Sequence, residues 1–241
     1  MAQTRVGVRN GGLIVPSSNI ITDGLVLHLD AGNTSSYPGT GTDWFDLTSN
    51  NNNGTLTNGP TFDSGNGGSI SFDGVNDYVD FTDNFTLTNN ITVSSWIKAY
   101  TTTQTTIVGK YKYIGNDRSW YIGTNTNGSS LQVVLSSNGS NFNRYICGNI
   151  NDGNWHHVSF SFSSGLVKMY IDSIPQAVTQ IGSNTITTLH NYTDSIEVGS
   201  VANGIGNFFD GNISNVKIYN KVLTDSEIQQ NYNALKTRFG L

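Results

Sequence analysis

The sequence has a single cysteine, Cys147, in 241 residues, so no disulfide can form within the chain and its stability rests on a buried core. Charge is scarce as well. Twelve Lys and Arg against 17 Asp and Glu leave a net charge of -5, and this excludes the basic field that holds a nucleic-acid backbone. Among the acids only Glu197 and Glu227 are glutamates, which removes most of the residue type that favours helices and much carboxylate catalysis. Long hydrophobic runs are missing too: Leu13-Ile14-Val15 near the N-terminus is too short for a signal-peptide core or a membrane span. Export by a signal peptide and membrane insertion are therefore not expected.

What the sequence does contain is 27 Gly against 4 Pro, and long stretches of Asn, Thr and Ser. That mixture suits short strands joined by many turns. From Leu25 onward the apolar period is two. Leu25, Leu27 and Leu29 alternate with Val26, His28 and Asp30, and Ile70-Ser71-Phe72 leads through Asp73-Gly74 to Tyr78-Val79-Asp80-Phe81. Ile91, Val93 and Ile97 share one face of a strand whose other face carries Thr92, Ser94, Trp96 and Lys98, so both faces are expected to be partly covered. Asn127-Gly128 and Asn138-Gly139 mark hairpin turns around Leu131 to Leu135, and Ser163-Ser164-Gly165 joins His157 to Phe162 with Leu166 to Asp172. Ile196-Glu197-Val198 and Ile213 to Tyr219 supply the last strands.

One helix is predicted, starting at Thr224 as N-cap with Glu227 completing a capping box, followed by Ile228, Tyr232 and Leu235 at helical spacing. Asp225 and Glu227 suit its positive start, Lys236 and Arg238 its negative end, and Gly240 can close it. It should lie against the sandwich. Residues 1-22 read differently, as an arm: they hold Arg5 and Arg9 with no acid before Asp23, and Leu13, Ile14 and Val15 are apolar side chains that suit a docking segment as well as a frayed end. The expected organisation is an arm over 1-22 and one domain over 23-241.

Six stretches, in order, resemble the laminin-G-like, pentraxin-like branch of the concanavalin A-like lectins and glucanases across roughly residues 24–238. They are Gly24-Leu25-Val26-Leu27-His28-Leu29-Asp30, Phe72-Asp73-Gly74-Val75-Asn76-Asp77-Tyr78-Val79, Ile91-Thr92-Val93-Ser94-Ser95-Trp96-Ile97, Trp155-His156-His157-Val158, Met169-Tyr170-Ile171-Asp172, and Phe209-Asp210-Gly211 through Tyr219 with the helix. The resemblance implies an all-β, two-sheet antiparallel jelly-roll sandwich with one short C-terminal helix. It says little about function, because the fold hosts lectins, hydrolases and structural domains. The Gly-, Asn- and Thr-rich wording from Asp30-Ala31-Gly32-Asn33 to Gly59-Pro60-Thr61-Phe62 also resembles domains of tailed-bacteriophage structural proteins.

Hydrolysis of a glycan needs two carboxylates at a set separation, and Glu197 and Glu227 do not form such a pair in sequence, so no enzymatic activity is expected. His156 and His157 are consecutive in a strand, point to opposite faces and cannot enter one site. Asp73, Asn76 and Asp77 in one turn offer the hard oxygens that calcium takes, although they serve equally to shape the turn. The resemblance would put an acidic pair in the last strand; this chain has Ser214-Asn215 there, which weakens a calcium site at that place. Sugar recognition calls for an aromatic ring and nearby polar groups, and Tyr111, Tyr113, Asn116, Asp117, Arg118, Trp120 and Tyr121 supply both around one loop.

The expectation from sequence is a non-enzymatic protein of a virion surface, decorating a capsid or associated with a tail. Its arm, through Arg5, Arg9, Leu13, Ile14 and Val15, would dock on other virion proteins, its copies would be many or oligomeric, and its jelly roll would touch host glycans. The alternatives are a free or cell-surface carbohydrate-binding module and, further off, a glycoside hydrolase.

Overall fold

Each strand with one apolar side must hide that side, and two such sheets laid face to face are the simplest way to do it. The computed structural model describes residues 19–81, 87–192, 196–202 and 204–241. In chain order the first strands are β1 (Leu25–Asp30), β2 (Asp43–Trp44), β3 (Gly54–Thr57), β4 (Thr61–Asp63), β5 (Ser69–Asp73) and β6 (Tyr78–Phe81). The long central ones follow: β7 (Asn90–Ala99), β8 (Thr106–Lys112), β9 (Asp117–Thr124), β10 (Ser130–Gly139), β11 (Phe142–Asn149) and β12 (His156–Ser163). The last are β13 (Leu166–Ile171), β14 (Ile174–Pro175), β15 (Thr179–Ile181), β16 (Glu197–Val198) and β17 (Asp210–Tyr219), before the helix α1 (Asp225–Leu235) and a final 3-10 turn over Lys236–Phe239.

Sheet A runs β14-β13-β12-β7-β17-β5-β4, with β1 also paired to β17; sheet B runs β15-β11-β10-β9-β8-β16-β6-β3-β2. Every described pairing between these strands is antiparallel. The two-sheet jelly roll with one short C-terminal helix is the fold expected from the sequence. Its core lies between the sheets. Leu27 and Leu29 of β1, Ile91, Val93 and Ile97 of β7, Phe160 and Phe162 of β12 and Val216 and Ile218 of β17 face Trp120, Ile122, Val133 and Leu135 of sheet B.

Register carries the alternation straight across sheet A. The row His28, Lys217, Ser94, Ser159, Tyr170 spans β1, β17, β7, β12 and β13, and the neighbouring row runs Asp30, Asn215, Trp96, His157. Both rows point away from the core, yet most of their side chains are buried, because α1 and the last turn roof this face. Phe239 stacks on the Trp96 indole at 4.1 Å between centroids, and Tyr232 lies beside it at 5.4 Å.

The helix starts where the sequence places it. The Thr224 hydroxyl accepts the Glu227 N–H and the Glu227 carboxylate accepts the Thr224 N–H, two of the donors that a helix start leaves unpaired. Gly240 closes the final turn in the left-handed conformation, at φ 78°. The arm expected over 1-22, including Arg5, Arg9, Leu13, Ile14 and Val15, lies outside the described residues as far as residue 18. What is described of it is tied to the helix: the Ile21 N–H donates to the Asn231 side chain at 2.8 Å, and the Gln230 amide donates to the Asn19 carbonyl at 2.8 Å.

Candidate functional site

The β8–β9 hairpin holds the seven residues singled out as sugar contacts, and strand alternation divides them. Trp120 turns inward, is 1% exposed and packs on Phe160 of the opposite sheet. Its assignment as a sugar contact is corrected: on a strand, Trp120 and Tyr121 point to opposite faces, and the indole takes the core side. Tyr121 faces outward, yet is buried as well. Its hydroxyl receives the Gln104 amide at 2.8 Å and the Gln132 amide at 2.6 Å, and its ring meets Tyr111 edge-on at 4.9 Å. Burial pushes the Tyr121 hydroxyl well above the ordinary phenol range.

Arg118 organises the hairpin end. Its guanidinium donates to the Asn116 side chain at 2.8 Å, to the Gly139 carbonyl at 3.1 Å and to the Tyr113 carbonyl at 3.3 Å, so it fastens the β8–β9 turn to the β10–β11 turn. The two turns touch closely: a Cβ on Gly139 would lie 1.8 Å from the Asn116 carbonyl oxygen, and φ there is 79°, so only glycine fits. Tyr111 is half-buried, and burial raises its hydroxyl above the usual range while the Arg118 charge pulls it back. Asp117 sits 3.9 Å from His190. Tyr113 is left exposed at the tip, beside exposed Ile114.

The structure adds residues that the chain order hides. Phe142 and Arg144 of β11 come alongside; the Arg144 guanidinium lies 5.0 Å above the Phe142 ring and that of Arg118 5.6 Å from it. Among the described residues the Arg144 Nε is buried without a partner. Its neighbour Gln132, wholly buried, has an unpartnered Oε1. Beyond Asp117, His190 stacks on Tyr192, and Lys110 reaches over the Tyr192 ring. An exposed ring, two cations stacked on a second ring, and amide and carboxylate groups thus share one end of sheet B.

The other candidates have structural work. Asp73 Oδ1 accepts the N–H groups of Val75 and Asn76, Asp77 Oδ2 accepts the Asp73 N–H, and the Asn76 carbonyl receives the Asn58 amide, so all three shape one turn. Burial and then the Asp73 charge raise the Asp210 carboxyl; burial, with the Asp73 charge adding to it, does the same to Asp77. Among the described residues no group of three or more His, Cys, Asp or Glu side chains is placed to hold a metal ion. The Glu197 carboxylate holds the Ser200 hydroxyl and the Gly204 N–H, and Glu227 belongs to the helix cap. His156 bridges Asp172 at 2.8 Å and Asp152 at 3.1 Å, while His157 points the other way, under the helix.

A family model described as the concanavalin A-like lectin/glucanases superfamily, of the laminin-G kind, matches residues 72–229. The chain belongs to that superfamily. No curated protein matches this superfamily member. Among solved structures its fold is similar to the binding domain of paraclostridial mosquitocidal protein 1, at 15% identity and a TM-score of 0.66 over 88% of this chain and 52% of that one. It is similar to domain 4 of AbnA, an extracellular arabinanase of Geobacillus stearothermophilus solved with arabinotriose, at 24% identity and 0.62 over 86% and 98%. A third is the binding domain of botulinum neurotoxin serotype D solved with N-acetylneuraminic acid, at 16% and 0.62 over 87% and 50%. The chain spans about half the length of the toxin binding domains it resembles.

These likenesses correct the expectation of a bacteriophage virion or decoration protein. Solved structures that this lectin-like domain resembles include toxin binding domains and an arabinanase domain, and the Gly-, Asn- and Thr-rich wording behind the phage reading is what any turn-rich jelly roll of this kind requires.

Proposed function

We propose that this domain is a carbohydrate-binding module whose contact surface is the end of sheet B formed by the β8–β9 hairpin and β11. The observation that carries the reading is Tyr113, exposed at the tip of a hairpin that Arg118 holds rigid, with Arg144 and Phe142 beside it. A ring presents an apolar face to the C–H side of a sugar, and preorganised polar groups around it orient the hydroxyls without loss of loop entropy on binding. The arabinotriose and N-acetylneuraminic acid complexes of domains with this fold support a glycan as the ligand class.

The test is binding of the purified chain to a broad glycan panel, in calcium and again in chelator, with Tyr113→Ala and Arg144→Ala alongside. Selective binding that each substitution weakens by about tenfold or more is the expected result. Loss of binding in chelator would move the contact to the Asp73, Asn76 and Asp77 turn, and retention in chelator with loss in Tyr113→Ala would fix it on the hairpin. Binding to no glycan would overturn the reading.

A further inference from the structure

The face of sheet A beneath the C-terminal helix holds a lysine that nothing in the core of a sandwich requires. Lys217 is 1% exposed, and its ammonium has one partner, the Asn215 Oδ1 at 2.8 Å. Around it, on the contiguous rows set by the strand register, are buried polar atoms with no partner: Ser94 Oγ directly across on β7, Ser159 Oγ next to it on β12, Asn215 Nδ2, Trp96 Nε1, His157 Nδ1 and His28 Nε2. Asn215 Nδ2 and Trp96 Nε1 can only donate, the serine hydroxyls are free to donate, and each imidazole nitrogen donates in one tautomer. Two apolar patches enclose this strip, Tyr170, Tyr219, Leu223 and Ile228 on one side and Trp96, Trp155 and Phe239 on the other.

Charge points the same way. Asp30 is the nearest acid, but its Oδ1 receives Arg238 at 2.6 Å and the Gly32 N–H at 2.9 Å. Asp30, Arg238 and Lys217 together sum to one uncompensated positive charge. Burial holds both His28 and His157 near a pKa of about 3, so they are neutral, and burial lowers Lys217 to about 8, which leaves it mostly charged at pH 7. A buried charge with a single acceptor, beside further buried polar atoms that have no partner, is costly unless another acceptor joins it.

We infer that the strip beneath the helix is a binding site for a small inorganic anion of halide size, held by the Lys217 ammonium with Ser94, Ser159 and Asn215. Ser94 and Ser159 lie side by side on neighbouring strands and present small hydroxyl side chains to it. The ion supplies the missing acceptor and cancels the excess charge, and α1 closes over it. The site is separate from the sugar-binding surface proposed above and does not depend on it.

The experiment is thermal unfolding of the whole chain in sodium chloride and in sodium methanesulfonate at equal ionic strength, together with crystals grown in bromide. The expected result is a Tm about 2–4 °C higher in chloride, lost in Lys217→Met, and an anomalous bromide peak beside Lys217 Nζ. Should Lys217→Met fail to fold, Ser159→Ala provides the same comparison with a reduced chloride effect. Equal Tm in both salts, with only water beside Lys217 in the bromide crystals, would overturn the inference.

Discussion

The two sheets of this sandwich share a core, but their outward faces have opposite fates. On sheet A the outward rows are sealed by the C-terminal helix, and Trp96 is enclosed between Tyr232, Phe239 and His157. On sheet B the outward side chains around Tyr121 end at a hairpin whose tip remains exposed, with Tyr113 and Ile114 facing solvent. The same two-residue period writes both faces, so what separates them is the cover that later parts of the chain provide. Polar groups under the roof are therefore matters of stability, whereas those at the hairpin end are free to serve recognition.

Substitutions sharpen this contrast. The largest effect is expected for Trp96→Ala, which removes the ring on which Phe239 and Tyr232 stack and opens a cavity under the helix; unfolding in urea should show a loss of about 3–5 kcal/mol with glycan binding retained. Tyr121→Phe leaves the Gln104 and Gln132 amides without their shared oxygen, a loss of about 1–3 kcal/mol by the same measurement. The smallest stability change belongs to Tyr113→Ala, below about 0.5 kcal/mol, and here the loss should appear in glycan titration instead. A Tyr113→Ala protein as destabilised as Trp96→Ala would erase the distinction between the two faces.

Most of the fold was legible in the chain. The alternation of β7 and β12, the Asn127-Gly128 and Ser164-Gly165 turns and the Thr224 capping box all stand where the sequence puts them, because each is a local signal. Short strands such as β2, β4 and β15 were not legible; two or three residues carry no period. The site was legible only in part. Tyr111, Tyr113, Asn116, Asp117 and Arg118 come together because they share one hairpin, whereas strand alternation turns Trp120 into the core and away from Tyr121. Arg144 and Phe142 lie on another strand, and only sheet register brings them to the hairpin. Lys217 alternates with Val216 and Ile218 and so reads as a solvent-facing residue; nothing within β17 announces that a helix will cover it.

The position of β17 has a consequence for how the protein is made. This strand, which follows all the other described strands in the chain, is the centre of sheet A, joined to β7 on one edge and to β5 and β1 on the other. Its partners Leu29 and Ile70 emerge from the ribosome long before it does; until residue 210 is added β1 lacks the strand it pairs with, and β5 has only β4. Mean sequence separation of this kind places folding in the slow range typical of sandwiches, milliseconds to seconds. Assembly of sheet A is thus postponed until β17 has been made, and a chain halted before Asp210 leaves an edge of each of β1, β5 and β7 open to pairing with other molecules.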